Sequence, residues 1–184
     1  MRFYAEMGKD KYIDIAKKIA SLMPKVGYDS QRFGWYDVVE RVLGKDEKYH
    51  RYAWHDRKAW WQQEQGILAY LILQGHMPDN QEYKKYAEES AAFYNAFFLD
   101  NNDGGVYFNV LANGVPYLVG TERYKGSHSM SAYHSTELCF LSTIYIDLMI
   151  KKRPLNLYFK PMPNGFKDRL LRVCLLYTSP SPRD

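Results

Sequence analysis

Apolar side chains fall at 12, 13, 15, 16, 19, 20, 22 and 23, a helical stripe that predicts a first helix over 12–23, stopping before Pro24. From 27 to 55 this rhythm dissolves into a mixture of Tyr, Gly, Asp and Arg. That stretch reads as a long loop with short ordered pieces, of the kind that packs over a site. A strong helix is expected from Asp56, because Trp60, Trp61, Glu64, Leu68, Leu71 and Ile72 recur at three- and four-residue steps. Gly75 stands where its C-terminal cap would be. Asp79-Asn80 then offers a cap for another helix, from Gln81 to Phe98, with Tyr83, Tyr86, Ala87, Phe93, Tyr94 and Phe97 as its apolar positions.

Asp100 to Gly105 is a turn cluster, and Asn113-Gly114 behind Val106 to Leu111 is a hairpin signal. A last long helix is expected over Ser131 to Lys152, with Leu138, Leu141, Tyr145, Leu148 and Met149 on one face and Pro154 ending it. The recurring unit is helix, loop, helix with long decorated connections. Such helix pairs assemble as bundles or toroids, with sites where loops and helix N-termini converge.

Composition narrows the function classes. The 184 residues allow one domain or a piece of a larger one, and 46% hydrophobic against 25% charged residues is enough to bury a core. Lys and Arg exceed Asp and Glu by four and are scattered, which argues against a dedicated nucleic-acid surface. No apolar run approaches the roughly 20 residues of a membrane span, and the first residues carry no signal-peptide core. Cys139 and Cys174 make neither a disulfide framework nor a metal-ligand spacing, so a reducing cytoplasm is the expected compartment. The aromatic share of 16%, with 17 Tyr and 4 Trp, suits core packing first and carbohydrate or ligand stacking second.

The last eleven residues, Cys174 to Asp184, read CLLYTSPSPRD, and the apolar rhythm stops there. They back-translate to a string that resembles the transposon-end adapter of sequencing libraries read in frame; the alternative is a Pro/Ser tail. On the adapter reading, the native sequence is expected to continue beyond Val173 and Met1 to be an internal methionine. Residues 174–184 are then set aside from fold reasoning.

Two stretches carry candidate chemistry. In Lys58-Ala-Trp-Trp-Gln-Gln-Glu-Gln65, adjacent tryptophans on a helix point about 100° apart, so at most one sits squarely in the core. The other can form a flat apolar plate, with Gln63, Glu64 and Gln65 reading hydroxyls. The competing interpretation packs both tryptophans between helices and leaves the polar set solvated. In Lys125 to Glu137, His128 and His134 lie six residues apart near a helix start, beside Ser, Tyr and Glu. A helix N-terminus disfavours protonation of imidazole, which suits a base or a polarising donor. Glu137, one turn on, either holds the ring tautomer or is simply exposed. Neither stretch has zinc-ligand spacing, and no phosphate loop, dinucleotide fingerprint or GxSxG elbow is present.

In this order the two stretches resemble the N-acylglucosamine 2-epimerase family, which includes cellobiose 2-epimerases and aldose–ketose isomerases. The family helix motif is approximately K-x-W-W-x-[QH]-x-E-A. Lys58, Trp60, Trp61 and Gln63 match it, whereas its Glu falls on Gln65, with Glu64 one position early, and its Ala on Gly66. Phe98 to Tyr107 is similar to the family's F-x-D-x-x-x-G-G-x-Y, and Tyr133-His134 to the Tyr-His pair that opens a late helix.

The resemblance implies an all-α fold, with residues 1–173 forming about the C-terminal half of an (α/α)6 toroid and a small β-hairpin in a connection. It implies proton removal next to the carbonyl of an open-chain sugar through an enediolate, without cofactor or metal. His134 aligns with one of two catalytic histidines, and Trp60, Trp61, Gln63, Glu64, Gln65 and His128 would bind substrate. The family's other catalytic pair, His-x-x-Glu, and an arginine would lie upstream, so this chain alone is expected to be inactive. The implied partner is a small-molecule sugar, not nucleic acid or a membrane; a homodimer of the longer protein is left open. The alternatives are a catalytically silent carbohydrate-binding or interaction module on the same scaffold, or a toroidal glycoside hydrolase. The hydrolase would need paired carboxylates, for which Glu64 and Glu137 are the candidates.

Overall fold

The computed structural model describes residues 10–125, 130–156, 158 and 160. The adapter-like segment lies outside them. Four helices and one small sheet make up the described fold: α1 (Asp10–Val26), β1 (Arg57–Ala59), α2 (Trp60–His76), α3 (Gln81–Phe93), β2 (Asn109–Leu111) and α4 (Tyr133–Tyr145). Helices α3 and α4 each continue into a π-helical turn, Tyr94–Phe98 and Ile146–Ile150.

Helix α1 does not stop before Pro24; the proline lies inside its last turn. Proline has no N–H to return to the carbonyl four residues back, which is Ala20. That carbonyl is buried, and the Tyr70 hydroxyl of α2 donates to it at 2.8 Å. A tertiary hydrogen bond replaces the missing helical one, and no periodicity within α1 could announce it.

The helix expected from Asp56 begins at Trp60 instead. Residues Arg57 to Ala59 are extended because they pair antiparallel with Asn109 to Leu111, in the register Arg57↔Leu111, Lys58↔Val110, Ala59↔Asn109. The Asn113-Gly114 turn forms as expected, with Gly114 N–H donating to the Leu111 carbonyl at 2.9 Å. Beyond it the chain returns only an isolated bridge, Val110↔Pro116, so β2 finds its main partner some fifty residues earlier. Asn80 caps α3 as expected, its side chain accepting from Glu82 N–H.

Gly75 is not a cap: α2 runs through it to His76. A Cβ at 75 would stand 2.7 Å from the Met149 Cβ, so glycine there admits the π-helical turn after α4. This contact fixes direction too. Gln65 lies beside His134 and Glu137, and Gly75 beside Met149, so α2 and α4 run parallel. Helix α3 runs the other way, with Tyr94 on Glu64 and Tyr83 on Tyr70. Helix α2 packs against both, so the chain returns along α3 on one side of α2 and enters α4 on the other with the starts of α2 and α4 at the same end.

Gly66, where the family motif has alanine, has a packing reason. A Cβ there would lie 2.4 Å from Trp35 Nε1. The Trp35 indole is wedged against α2, stacked on Tyr70 at 5.3 Å and donating to Ser90 Oγ at 2.9 Å. Gly66→Ala should therefore destabilise by about 1–3 kcal/mol through overpacking, although alanine is the better helix former by about 1 kcal/mol. Urea unfolding of Gly66→Ala in wild-type and Trp35→Leu backgrounds checks this. The penalty should vanish when the indole is gone; the same loss in both backgrounds would disprove the clash.

Candidate functional site

The loop that precedes β1 is held over the start of α2 by four side chains from 57–63. Arg57 donates to Asp37 Oδ2 at 2.6 Å, and Gln62 Nε2 to the Asp37 carbonyl at 2.7 Å. Lys58 is fully buried; its ammonium meets Asp29 Oδ2 at 2.8 Å and also donates to the Phe33 carbonyl. Gln63 Oε1 accepts from Trp35 N–H at 2.7 Å, while its Nε2 donates to the Trp35 carbonyl at 2.7 Å and that of Ala59 at 3.1 Å. One amide thus satisfies both main-chain groups of Trp35. Gly34 makes the approach feasible: its φ of +78° is left-handed, and a Cβ would fall 2.8 Å from Gln63 Oε1.

Two residues expected to read hydroxyls therefore lie beneath the site rather than in it. Gln63 has no accessible surface, and both ends of its amide are engaged by main chain. Glu64 is likewise fully buried, with Oε1 accepting from Tyr94 and Ser135 hydroxyls at 2.6 Å each. Its Oε2 has no hydrogen-bond partner among the described residues. Burial pushes the Glu64 carboxyl above its ordinary value of 4.5, against the pull of Ser135, Tyr94 and the His134 charge. The two tryptophans separate as adjacent helical positions must. Trp60 is 3% exposed and packs on Phe108, while Trp61 is 40% exposed.

His134 is the second residue of α4. Its ring lies 6.2 Å from Trp60 edge-on, 6.3 Å from Trp61 at an interplanar angle of 33°, and 5.1 Å from Tyr133. Gln65 reaches across from α2, its Nε2 3.0 Å from Glu137 Oε2 and 3.4 Å from His134 Nδ1. Glu137 Oε2 itself is 3.8 Å from Nδ1. His134-Ser-Thr-Glu137 is itself a His-x-x-Glu spacing on one helix face, so a pair expected only upstream also occurs within this chain. Ser135, between them, ties α4 to the buried Glu64. His128 lies outside the described residues.

Neither α2 nor α4 has a side-chain N-cap or an acidic residue in its first turn. Their N-termini, with the positive ends of two parallel helix dipoles, meet beside Trp61 and His134. The arrangement combines an exposed aromatic plate, an imidazole about one-third exposed, a carboxylate and a carboxamide. It can stack a flat apolar surface and place a proton-bearing ring beside it. By contrast, the Asp100 carboxylate is filled from within the fold by Asn102 and Asp103 N–H and by Lys125 at 2.8 Å. No described helix is long and apolar enough to cross a membrane.

No protein-family model and no curated protein matches the chain. Among solved structures it is similar to a D-mannose isomerase at 17% identity and a TM-score of 0.60, over 77% of this chain and 34% of that one. It is also similar to cellobiose 2-epimerase from Bacillus thermoamylovorans B4167, at 20% identity and a TM-score of 0.56, over 75% and 31% of the two chains. The chain thus spans about a third of the length of each. At these identities the likeness concerns the scaffold: the chain is mostly helical with a small two-stranded sheet, and its fold is part of an α/α toroid.

Proposed function

We propose that the chain supplies one side of the site of a sugar 2-epimerase or aldose–ketose isomerase, with His134 as the imidazole facing the reacting carbons. The observation that carries this is the convergence of Trp61, Gln65, His134 and Glu137 at the joined N-terminal ends of two parallel helices. The toroidal scaffold shared with a D-mannose isomerase and a cellobiose 2-epimerase supports it. Moving a proton at the carbon next to a carbonyl needs an acid/base pair and donors for the enediolate oxygen. His134 and the two helix ends fit part of that need; the remaining base would come from elsewhere in a longer protein.

The glycoside hydrolase alternative is not favoured. Both carboxylates of such a site must flank the scissile bond, and Glu64 has no accessible surface from which to do so.

The test is incorporation of solvent deuterium at the carbon alpha to the carbonyl, using the parent protein and a panel of aldoses, ketoses and N-acyl sugars. Wash-in supports the reading; sugar binding without wash-in returns the silent binding module. Trp61 then acts by stacking rather than chemistry. Trp61→Ala should raise KM about tenfold with kcat little changed, the signature of lost uniform binding. A fall in kcat at unchanged KM would remove Trp61 from the role of plate.

A further inference from the structure

Position 65 is one of two places where this chain departs from the motif it resembles, and its side chain is the polar group of α2 that reaches the candidate imidazole. The motif has a carboxylate there; this chain has an amide. Gln65 Nε2 stands 3.0 Å from Glu137 Oε2. An ionised carboxylate only accepts, so the end of the amide facing it is the NH2 group. Turning the amide over would set two acceptors against each other. The same NH2 carries a second hydrogen, and the next acceptor is His134 Nδ1 at 3.4 Å. Glu137 is too far from Nδ1, at 3.8 Å, to take a hydrogen bond from it directly.

A neutral imidazole has one N–H and one lone pair, and the nitrogen that faces a donor keeps the lone pair. His134 Nε2 makes no hydrogen bond to the described residues, and about a third of the side chain is exposed. We propose that Gln65 fixes neutral His134 in the tautomer with its proton on Nε2, so that the ring offers the site a hydrogen-bond donor and not a base. Gln65 is a positioning residue in this scheme, acting through His134. Resting on the sugar reading above, the donor's target is the carbonyl oxygen as it gains enediolate charge, and another group takes the alpha proton. A carboxylate at 65 would do the opposite. It would accept from Nδ1–H and leave the Nε2 lone pair facing the site as a base.

The experiment is a long-range 1H–15N correlation spectrum of the chain with 15N-labelled histidine, well above the ordinary imidazole pKa of about 6.5 so that the rings are neutral. His134→Asn identifies the His134 signals by their disappearance. The expected result is a protonated Nε2 and a pyridine-type Nδ1 in the wild type, and the reverse in Gln65→Glu. Gln65→Met, which neither donates nor accepts, should give a mixture of the two. A wild-type ring protonated on Nδ1, or one tautomer unchanged through all three proteins, overturns the inference. The spectrum needs no substrate, so its failure is separate from a failure of deuterium wash-in, which would instead overturn the sugar reading.

Discussion

Lys58→Met should lower the stability of the chain by about 3–5 kcal/mol, the usual cost of leaving one partner of a buried ion pair behind. The Lys58 ammonium has no accessible surface; it sits 2.8 Å from Asp29 Oδ2 and 4.0 Å over the Phe93 ring. Methionine matches its length but leaves a buried carboxylate without its cation and the Phe33 carbonyl without its donor. Asp29→Asn combined with Lys58→Met should recover part of the loss, since an Asn oxygen can still accept from Gln31 and Arg32 N–H as Asp29 Oδ1 does. Urea midpoints for the four proteins measure the coupling. A single-variant loss under about 1 kcal/mol would show that the pair does not hold the loop.

The same pair sets an acid limit. Burial alone would raise the Asp29 carboxyl, but the hydrogen bond and charge of Lys58, with the Arg32 and Gln31 amides, hold it below its ordinary value of 3.8. Burial pushes the Lys58 ammonium below its ordinary value of 10.5. Because the folded-state value of Asp29 is depressed, its contribution is complete above the unfolded-state value and is lost as pH falls through the folded one. The stability gap between wild type and Lys58→Met should therefore be full at neutral pH and close in acid below pH 3.8.

These residues show where the sequence was legible. The tryptophan-bearing stretch was visible as a unit because its spacing is local. Its division of labour was not, because that depends on partners far along the chain. Lys58 and Gln63 face Asp29 and Trp35, in a loop with no periodicity, and so serve the loop. Trp61 and Gln65, on the other side of the same turns, face α4. Helical phase alone required one tryptophan to leave the core; only the packing of Phe108 on Trp60 says which. The strand at Arg57 to Ala59 escaped for the same reason, since three residues carry no period and their partner is distant. Pro24 inside α1 is legible only once Tyr70 is known to supply the missing donor.

The second large effect is on turnover, in a longer protein that carries this chain and the activity proposed above. His134→Leu should slow deuterium wash-in at the carbon alpha to the sugar carbonyl by about 10²–10³-fold, as expected when a donor to a developing oxyanion is removed. Leucine keeps the bulk that touches Trp60 and Trp61 and removes every proton-carrying atom. His134→Asn distinguishes donor from base. An asparagine amide still donates a hydrogen bond but cannot take a proton, so a base at 134 makes the two variants equally slow. A donor at 134, as the Gln65 contact implies, makes Asn faster than Leu. Gln65→Glu should move the enzyme from the second pattern towards the first, because a carboxylate facing Nδ1 leaves the outward nitrogen unprotonated. If Leu and Asn both exchange as fast as wild type, the imidazole lies outside the chemistry, and its contacts with Gln65 and the tryptophans serve only to pack the start of α4.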